Sequence, residues 1–112
     1  TGYAGGVLGI ANVAPRLCQA LYEAVVAGDI GRGRELQALI DRVFPFFFAA
    51  NPGATHTSGI LGAMKVGQEL QGLCSRRCLF PLTTLTDEQA ERVRAALQPL
   101  AEAGWLDIAP PR

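Results

Sequence analysis

Along most of this chain the apolar positions recur with a helical period, and one short stretch breaks that pattern. Residues 7–10, Val7-Leu8-Gly9-Ile10, are apolar without alternation. The run is too short for a helix and is flanked by Gly5 and Gly6. Such a run fits a strand buried on both faces, as in a parallel sheet. Asn12 then supplies a turn, and Pro15 suits the first position of a helix. A parallel strand needs parallel neighbours, and no second convincing strand follows. The pattern therefore predicts the end of a larger α/β protein, mostly α within these residues. Taken alone, such a chain is expected to fold poorly, because an unpaired strand leaves backbone groups unsatisfied.

Four helices are predicted after the strand. Residues 15–27 carry Leu17, Leu21, Ala24 and Val25 at helical spacing, and Gly28 follows as a left-handed end. Asp29 caps a second helix over residues 30–50, with Leu36, Leu39, Ile40, Val43, Phe44 and Phe47 as its buried stripe. Pro45 lies inside that stripe and predicts a kink, since it lacks a donor. Asn51-Pro52-Gly53 breaks the chain. A third helix is predicted over residues 55–66, weakened by Gly59 and Gly62. Residues 67–85 read as irregular. Thr86-Asp87-Glu88-Gln89 has the form of a capping box. It opens a last helix reaching residue 103, with Val93, Ala96, Leu97 and Leu100 on its apolar side. Pro99 is expected to bend that helix, Gly104-Trp105-Leu106 to close it, and the tail at Pro110-Pro111-Arg112 to fray.

Charge narrows the partners. Ten basic residues balance ten acidic ones, so no long-range field draws in nucleic acid or an anionic membrane. No apolar run reaches the ~18 residues of a membrane span. Three cysteines, an odd and sparse set, argue for a reducing, cytoplasmic setting rather than a disulfide scaffold. Cys74 and Cys78 have the spacing of half a zinc site, and Cys18 with His56 would complete four ligands. The other spacings are irregular, so ordinary thiols are expected, with no metal and no cofactor. A single histidine supports no nucleophilic triad. Arg76 and Arg77 suit either a bound carboxylate or phosphate or a structural ion pair. Phe46-Phe47-Phe48 reads as packing at a helix or subunit interface. The glycines of residues 2–9 lack the lysine of a phosphate loop.

Several motifs then fall in a telling order: Gly2-x-x-Gly5-x-Val7, Ala11-Asn12-Val13-Ala14-Pro15, Gly28-Asp29, Leu36-Gln37, Asn51-Pro52 and Arg77-x-x-x-Pro81-Leu82. In this order the chain resembles the C-terminal part of the dihydrodipicolinate synthase/N-acetylneuraminate lyase family. Gly5-Gly6-Val7 with Gly104-Trp105-Leu106 is similar to its 4-hydroxy-2-oxoglutarate aldolase branch. The resemblance implies the last strand and C-terminal helices of a (β/α)8 TIM barrel. Residues 1–28 would be the last barrel strand with its helix, and residues 29–112 a C-terminal helical extension. Two departures stand out. The family usually has a lysine at the position of His56. The lysine that forms the Schiff base, the proton-shuttling tyrosine and the carboxylate-binding loop belong to strands absent from this chain. Lys65, the sole lysine, does not match the catalytic position.

The resemblance further implies a class I lyase or aldolase acting on pyruvate-like 2-oxo acids through a lysine imine. No catalytic residue would lie in this chain, which alone would not be an enzyme. Its substrate-binding residues would be Val7, Leu8 and Gly9, at the C-terminal rim where such barrels place their chemistry. Gly9 suits a position where a ligand or another chain segment approaches closely. The implied partners are the 2-oxo acid, the remainder of the barrel and further copies in a dimer or tetramer. A different class of reading is a small helical interaction module that docks through its phenylalanines. A DNA-binding relative of the same fold is disfavoured by the neutral charge.

Overall fold

Side chains that satisfy free amides set the start of three helices in this protein. Asp29 Oδ1 accepts from the Arg32 amide at 3.0 Å, and Thr55 Oγ1 accepts from the Ser58 amide at 3.3 Å. Thr86 Oγ1 accepts from the Gln89 amide at 3.2 Å while Gln89 Oε1 accepts from the Thr86 amide at 2.9 Å, a complete capping box. The computed structural model describes residues 4–51 and 53–109. Its helices are α1 (Pro15–Val26), α2 (Ile30–Val43), α3 (His56–Leu70) and α4 (Asp87–Glu102). Short 3-10 helices at Gly9–Asn12 and Phe44–Phe48 precede α1 and follow α2. Pro15 opens α1, and Gly28 ends its turn at φ 76°. Among the described residues no helix is long and apolar enough to cross a membrane.

α1 and α2 pack side by side, and α4 lies against α2, α3 and the Phe44–Phe48 turn. One hydrophobic cluster results, drawing on both sides of Gly28. Its most enclosed members are Phe46, Leu17, Leu97, Leu100, Val13, Val43 and Val93. Polar groups of α4 hold the far end of the aromatic turn. Arg92 Nε donates to the Ala49 carbonyl at 3.1 Å, and Arg92 Nη2 donates to the Ala50 carbonyl at 3.2 Å. Gln89 Nε2, buried, also donates to the Ala50 carbonyl. These bonds occupy carbonyls that a helix end otherwise leaves open.

Three sequence expectations are corrected. Residues 7–10 do not form a strand. The chain is extended at Leu8 (φ −118°, ψ 127°) and then turns into the Gly9–Asn12 helix. Among the described residues there is no strand to pair with, so the backbone bonds locally instead, Ala11 to Leu8 and Val13 to Ile10. The second helix does not run kinked to residue 50: α2 stops at Val43, and Pro45 sits in the first turn of the Phe44–Phe48 helix. There its missing donor costs nothing. The third helix outruns its expected end at residue 66 and continues to Leu70, whose carbonyl accepts from the Ala109 amide at 2.7 Å. The phenylalanine run packs as expected for Phe46 and Phe47, which are buried, while Phe44 and Phe48 stay half exposed.

α3 grips the segment before α1. Gln71 Nε2 donates to the Val13 carbonyl at 3.0 Å, and Gln68 Nε2 donates to the Asn12 carbonyl at 3.4 Å. A Cβ at Gly67 would lie 2.7 Å from Val13 Cγ1 and 2.8 Å from Cγ2. Val13 is fully buried, and its branched side chain has few other rotamers. Gly67→Ala therefore destabilises the protein by about 1–3 kcal/mol, although alanine favours a helix by ~1 kcal/mol. Gly59→Ala moves the other way, gaining up to ~1 kcal/mol, because its nearest neighbour would be Ala54 Cβ at an ordinary 3.6 Å. Denaturant unfolding of the two variants checks both signs.

Candidate functional site

The three residues expected to touch substrate lie along the stretch that enters α1. Val7 is fully exposed and Leu8 half exposed. At Gly9 the close approach comes from the chain itself: a Cβ there would meet Phe47 Cζ at 3.3 Å and Met64 Sδ at 3.6 Å. Asn12 Nδ2 donates to the Gly9 carbonyl at 3.1 Å and reaches Met64 Sδ at 3.7 Å. Residues 7–9 thus emerge from the core beside Met64, and Met64 also opens onto a groove.

That groove has a volume of about 590 Å³. Leu61, Met64, Lys65 and Gln68 of α3 form one wall, residues 77–82 form the other, and Asn12 stands at one end. The walls are largely apolar, with Leu79 and Phe80 almost fully exposed. Two cations, Lys65 and Arg77, line it. Among the described residues neither has an ion-pair partner. The neighbouring Arg76 differs: it pairs with Glu69 at 3.3 Å and with Asp87, and its amide donates to Glu69 at 2.7 Å. Of the two readings of Arg76-Arg77, the structural ion pair describes Arg76, while Arg77 is left open. The sequence reading missed this groove. Its signal was the uncharged run Cys78-Leu79-Phe80-Pro81-Leu82 directly after two arginines, in a stretch with too little period to assign.

The sequence pattern of the dihydrodipicolinate synthetase family matches residues 1–100. This chain belongs to that family. It is 33% identical over 97 residues to the 4-hydroxy-tetrahydrodipicolinate synthase of Archaeoglobus fulgidus, covering 85% of this chain and 30% of that relative. With the synthase of the same name from Cereibacter sphaeroides it shares 38% over 88 residues, 79% of this chain and 28% of the relative. A shorter match, 51% over 47 residues, joins it to the Methylobacterium radiotolerans synthase, over 38% of this chain and 15% of the relative. The chain thus spans less than a third of the length of these curated relatives. No solved structure matches it significantly.

For a dihydrodipicolinate synthetase family member, the remaining candidates look structural. His56 is exposed at the start of α3 and stacks on Phe48, ring centroids 5.9 Å apart. Among the described residues no group of three or more His, Cys, Asp or Glu stands where it could hold a metal ion. All three cysteines are free thiols. Cys74 Sγ reaches Gln68 Oε1 at 3.5 Å, and the Cys78 amide donates to Thr84 Oγ1 at 2.9 Å. Burial pushes the Cys18 thiol up from its ordinary pKa, and a backbone hydrogen bond offsets part of that rise. The thiolate is the reactive form, so Cys18 alkylates severalfold more slowly than the exposed Cys74 near pH 8. Peptide mass spectrometry after a timed iodoacetamide pulse checks this order.

Proposed function

We propose that this chain is the C-terminal portion of a lyase or aldolase that acts on pyruvate-like 2-oxo acids through a lysine Schiff base. The observation that carries this reading is the family match over residues 1–100. It is supported by relatives almost three times as long that bear the name of a synthase. In this reading residues 1–28 contribute the last barrel strand and its helix, and residues 29–112 the helical extension. Residues 7–10, left without a partner here, would become that strand once neighbouring strands supply ladder bonds. Gly5-Gly6-Val7 with Ala11-Asn12-Val13, together with Gly104-Trp105-Leu106, favour the 4-hydroxy-2-oxoglutarate aldolase branch, a cytoplasmic enzyme working as a dimer or tetramer.

The chemistry would start outside this chain. A lysine amine condenses with the 2-oxo carbonyl and water leaves. The protonated imine then draws in the electron pair of the carbon–carbon bond that breaks, or stabilises the carbanion equivalent that forms one. A tyrosine on another strand would carry the proton. From this chain, the backbone at Val7 and the wall at Leu8 and Gly9 would border the bound 2-oxo acid at the C-terminal rim. Gly9 would keep that wall thin while its inner side packs on Phe47 and Met64.

Borohydride reduction of the full-length protein in the presence of pyruvate tests the reading. The expected result is a stable adduct of one pyruvate per subunit, mapped by peptide sequencing to a lysine preceding Thr1. No adduct, or an adduct on Lys65, overturns it.

A further inference from the structure

We propose that Gln71 is a positioning residue: from the end of α3 it fixes the turn at residues 12–13 and, through that turn, the place of Val7, Leu8 and Gly9 at the substrate rim. This rests on the reading of residues 7–9 as the border of a 2-oxo acid site. The carboxamide nitrogen of Gln71 carries two hydrogens, and both are used. One goes to the Gly67 carbonyl at 3.0 Å, a turn back in the same helix. The other goes to the Val13 carbonyl at 3.0 Å, 58 residues away in sequence. The first bond pins the side chain to its own helix, so the second ties Val13 to a fixed point. Gln68 does the same more loosely for the Asn12 carbonyl, at 3.4 Å. The first carbonyl that α1 itself uses is that of Ala14, so those of Asn12 and Val13 are left to the glutamines.

The hold reaches the rim because the stretch between is tied along its length. The Val13 and Ala14 amides donate to the Ile10 carbonyl at 2.9 and 2.8 Å, and the Ala11 amide donates to the Leu8 carbonyl at 3.1 Å. Asn12 Nδ2 donates to the Gly9 carbonyl at 3.1 Å. Contact blocks movement of this stretch toward the core. A Cβ at Gly9 would already stand 3.3 Å from Phe47 Cζ and 3.6 Å from Met64 Sδ, and Val13 is fully buried against Gly67. Packing only pushes, so it cannot stop movement the other way. The glutamine bonds supply that restraint. Supports of a reacting substrate must hold to about 0.5 Å, so a change at Gln71 is felt at the 2-oxo acid. Gln71 acts there through Val13, not by contact with substrate.

Two measurements on the full-length protein test this: amide hydrogen exchange over residues 8–14, and the pyruvate concentration that gives half-maximal adduct under borohydride. Gln71→Met keeps the side-chain length and removes both donors. It should speed exchange over residues 8–14 by roughly three- to tenfold and leave α4 unchanged. It should raise the half-saturating pyruvate by a similar factor, the scale of one hydrogen bond. The adduct reached at saturating pyruvate should stay the same, because the reacting lysine is untouched. Gln68→Met gives up only the longer bond and should move both readouts the same way by less. Ser58→Ala is the control: it removes a bond from the same helix to the Thr83 amide and should change neither. The proposal is overturned if exchange over residues 8–14 is no faster, or if half-saturation does not move. It is also overturned if the adduct yield falls instead, the mark of lost folded protein, or if Ser58→Ala matches Gln71→Met. Should Gln71→Met fail to fold, Gln68→Met carries the same test. No adduct in the unaltered protein sinks the Schiff-base reading alone, and exchange then decides whether Gln71 holds the turn.

Discussion

The close seating of α3 on the segment before α1 is the contact on which the rest of the arrangement depends. Gly67 of α3 makes it possible, and Gly62 of the same helix does the same for the segment before α4. Gly67 leaves room for Val13, and Gly62 leaves room for Leu85, whose Cγ would stand 2.6 Å from a Cβ at that position. One helix thereby receives a side chain from each end of the fold. The gap is closed by hydrogen bonds from Gln68 and Gln71 to the Asn12 and Val13 carbonyls. Helix-interior glycines each cost ~1 kcal/mol against alanine. Here the cost is offset because the neighbours bury fully: Val13 and Leu85 both belong to the core.

From that contact follows the placement of the groove. With residues 9–14 held against α3, Asn12 and Met64 sit together at one end. With Leu85 held on Gly62, the loop before it returns along the same helix, so residues 77–82 face Leu61 and Lys65. The loop is tied at three points: Cys78 to Thr84, the Thr83 amide to Ser58 Oγ at 3.1 Å, and Arg76 to Glu69 and Asp87. The exposed residues Leu79 and Phe80 lie between those ties, so the groove wall is positioned by its flanks rather than by its own packing.

The aromatic turn serves the other side of α3. Phe46 and Phe47 lie tilted against each other within the core, ring centroids 4.1 Å apart, while Phe44 meets Phe47 edge-on at 5.3 Å. Phe47 also reaches Gly9. The stretch that enters α1 is thus bounded by a rigid ring on one side and a flexible thioether, Met64, on the other. That combination explains why Gly9 has no side chain, whatever lies beyond the rim.

Helix starts were legible in the sequence because they depend on neighbours only three residues away. Asp29, Thr86 with Gln89, Pro15 and Gly28 each act within one turn, and the structure places each as the local chemistry requires. The family was legible too, through short motifs in a fixed order. What local pattern misjudged were features set by distant contact. Residues 7–10 read as a strand, but a strand exists only through a partner, and among the described residues none is present. Pro45 read as a kink within one helix, but the turn of four phenylalanines gains more by burying Phe46 and Phe47 as a tight 3-10 helix than by continuing α2. Residues 67–70 read as irregular, yet contact with Val13 and Ala109 keeps them helical. The groove needed tertiary structure most of all. Lys65 and Arg77 are twelve residues apart, and nothing in their spacing says that they line one groove or that Arg76 alone takes both nearby carboxylates. Caps are short-range and survive in any context; pairing, burial and the matching of charges are long-range, and only the folded chain decides them.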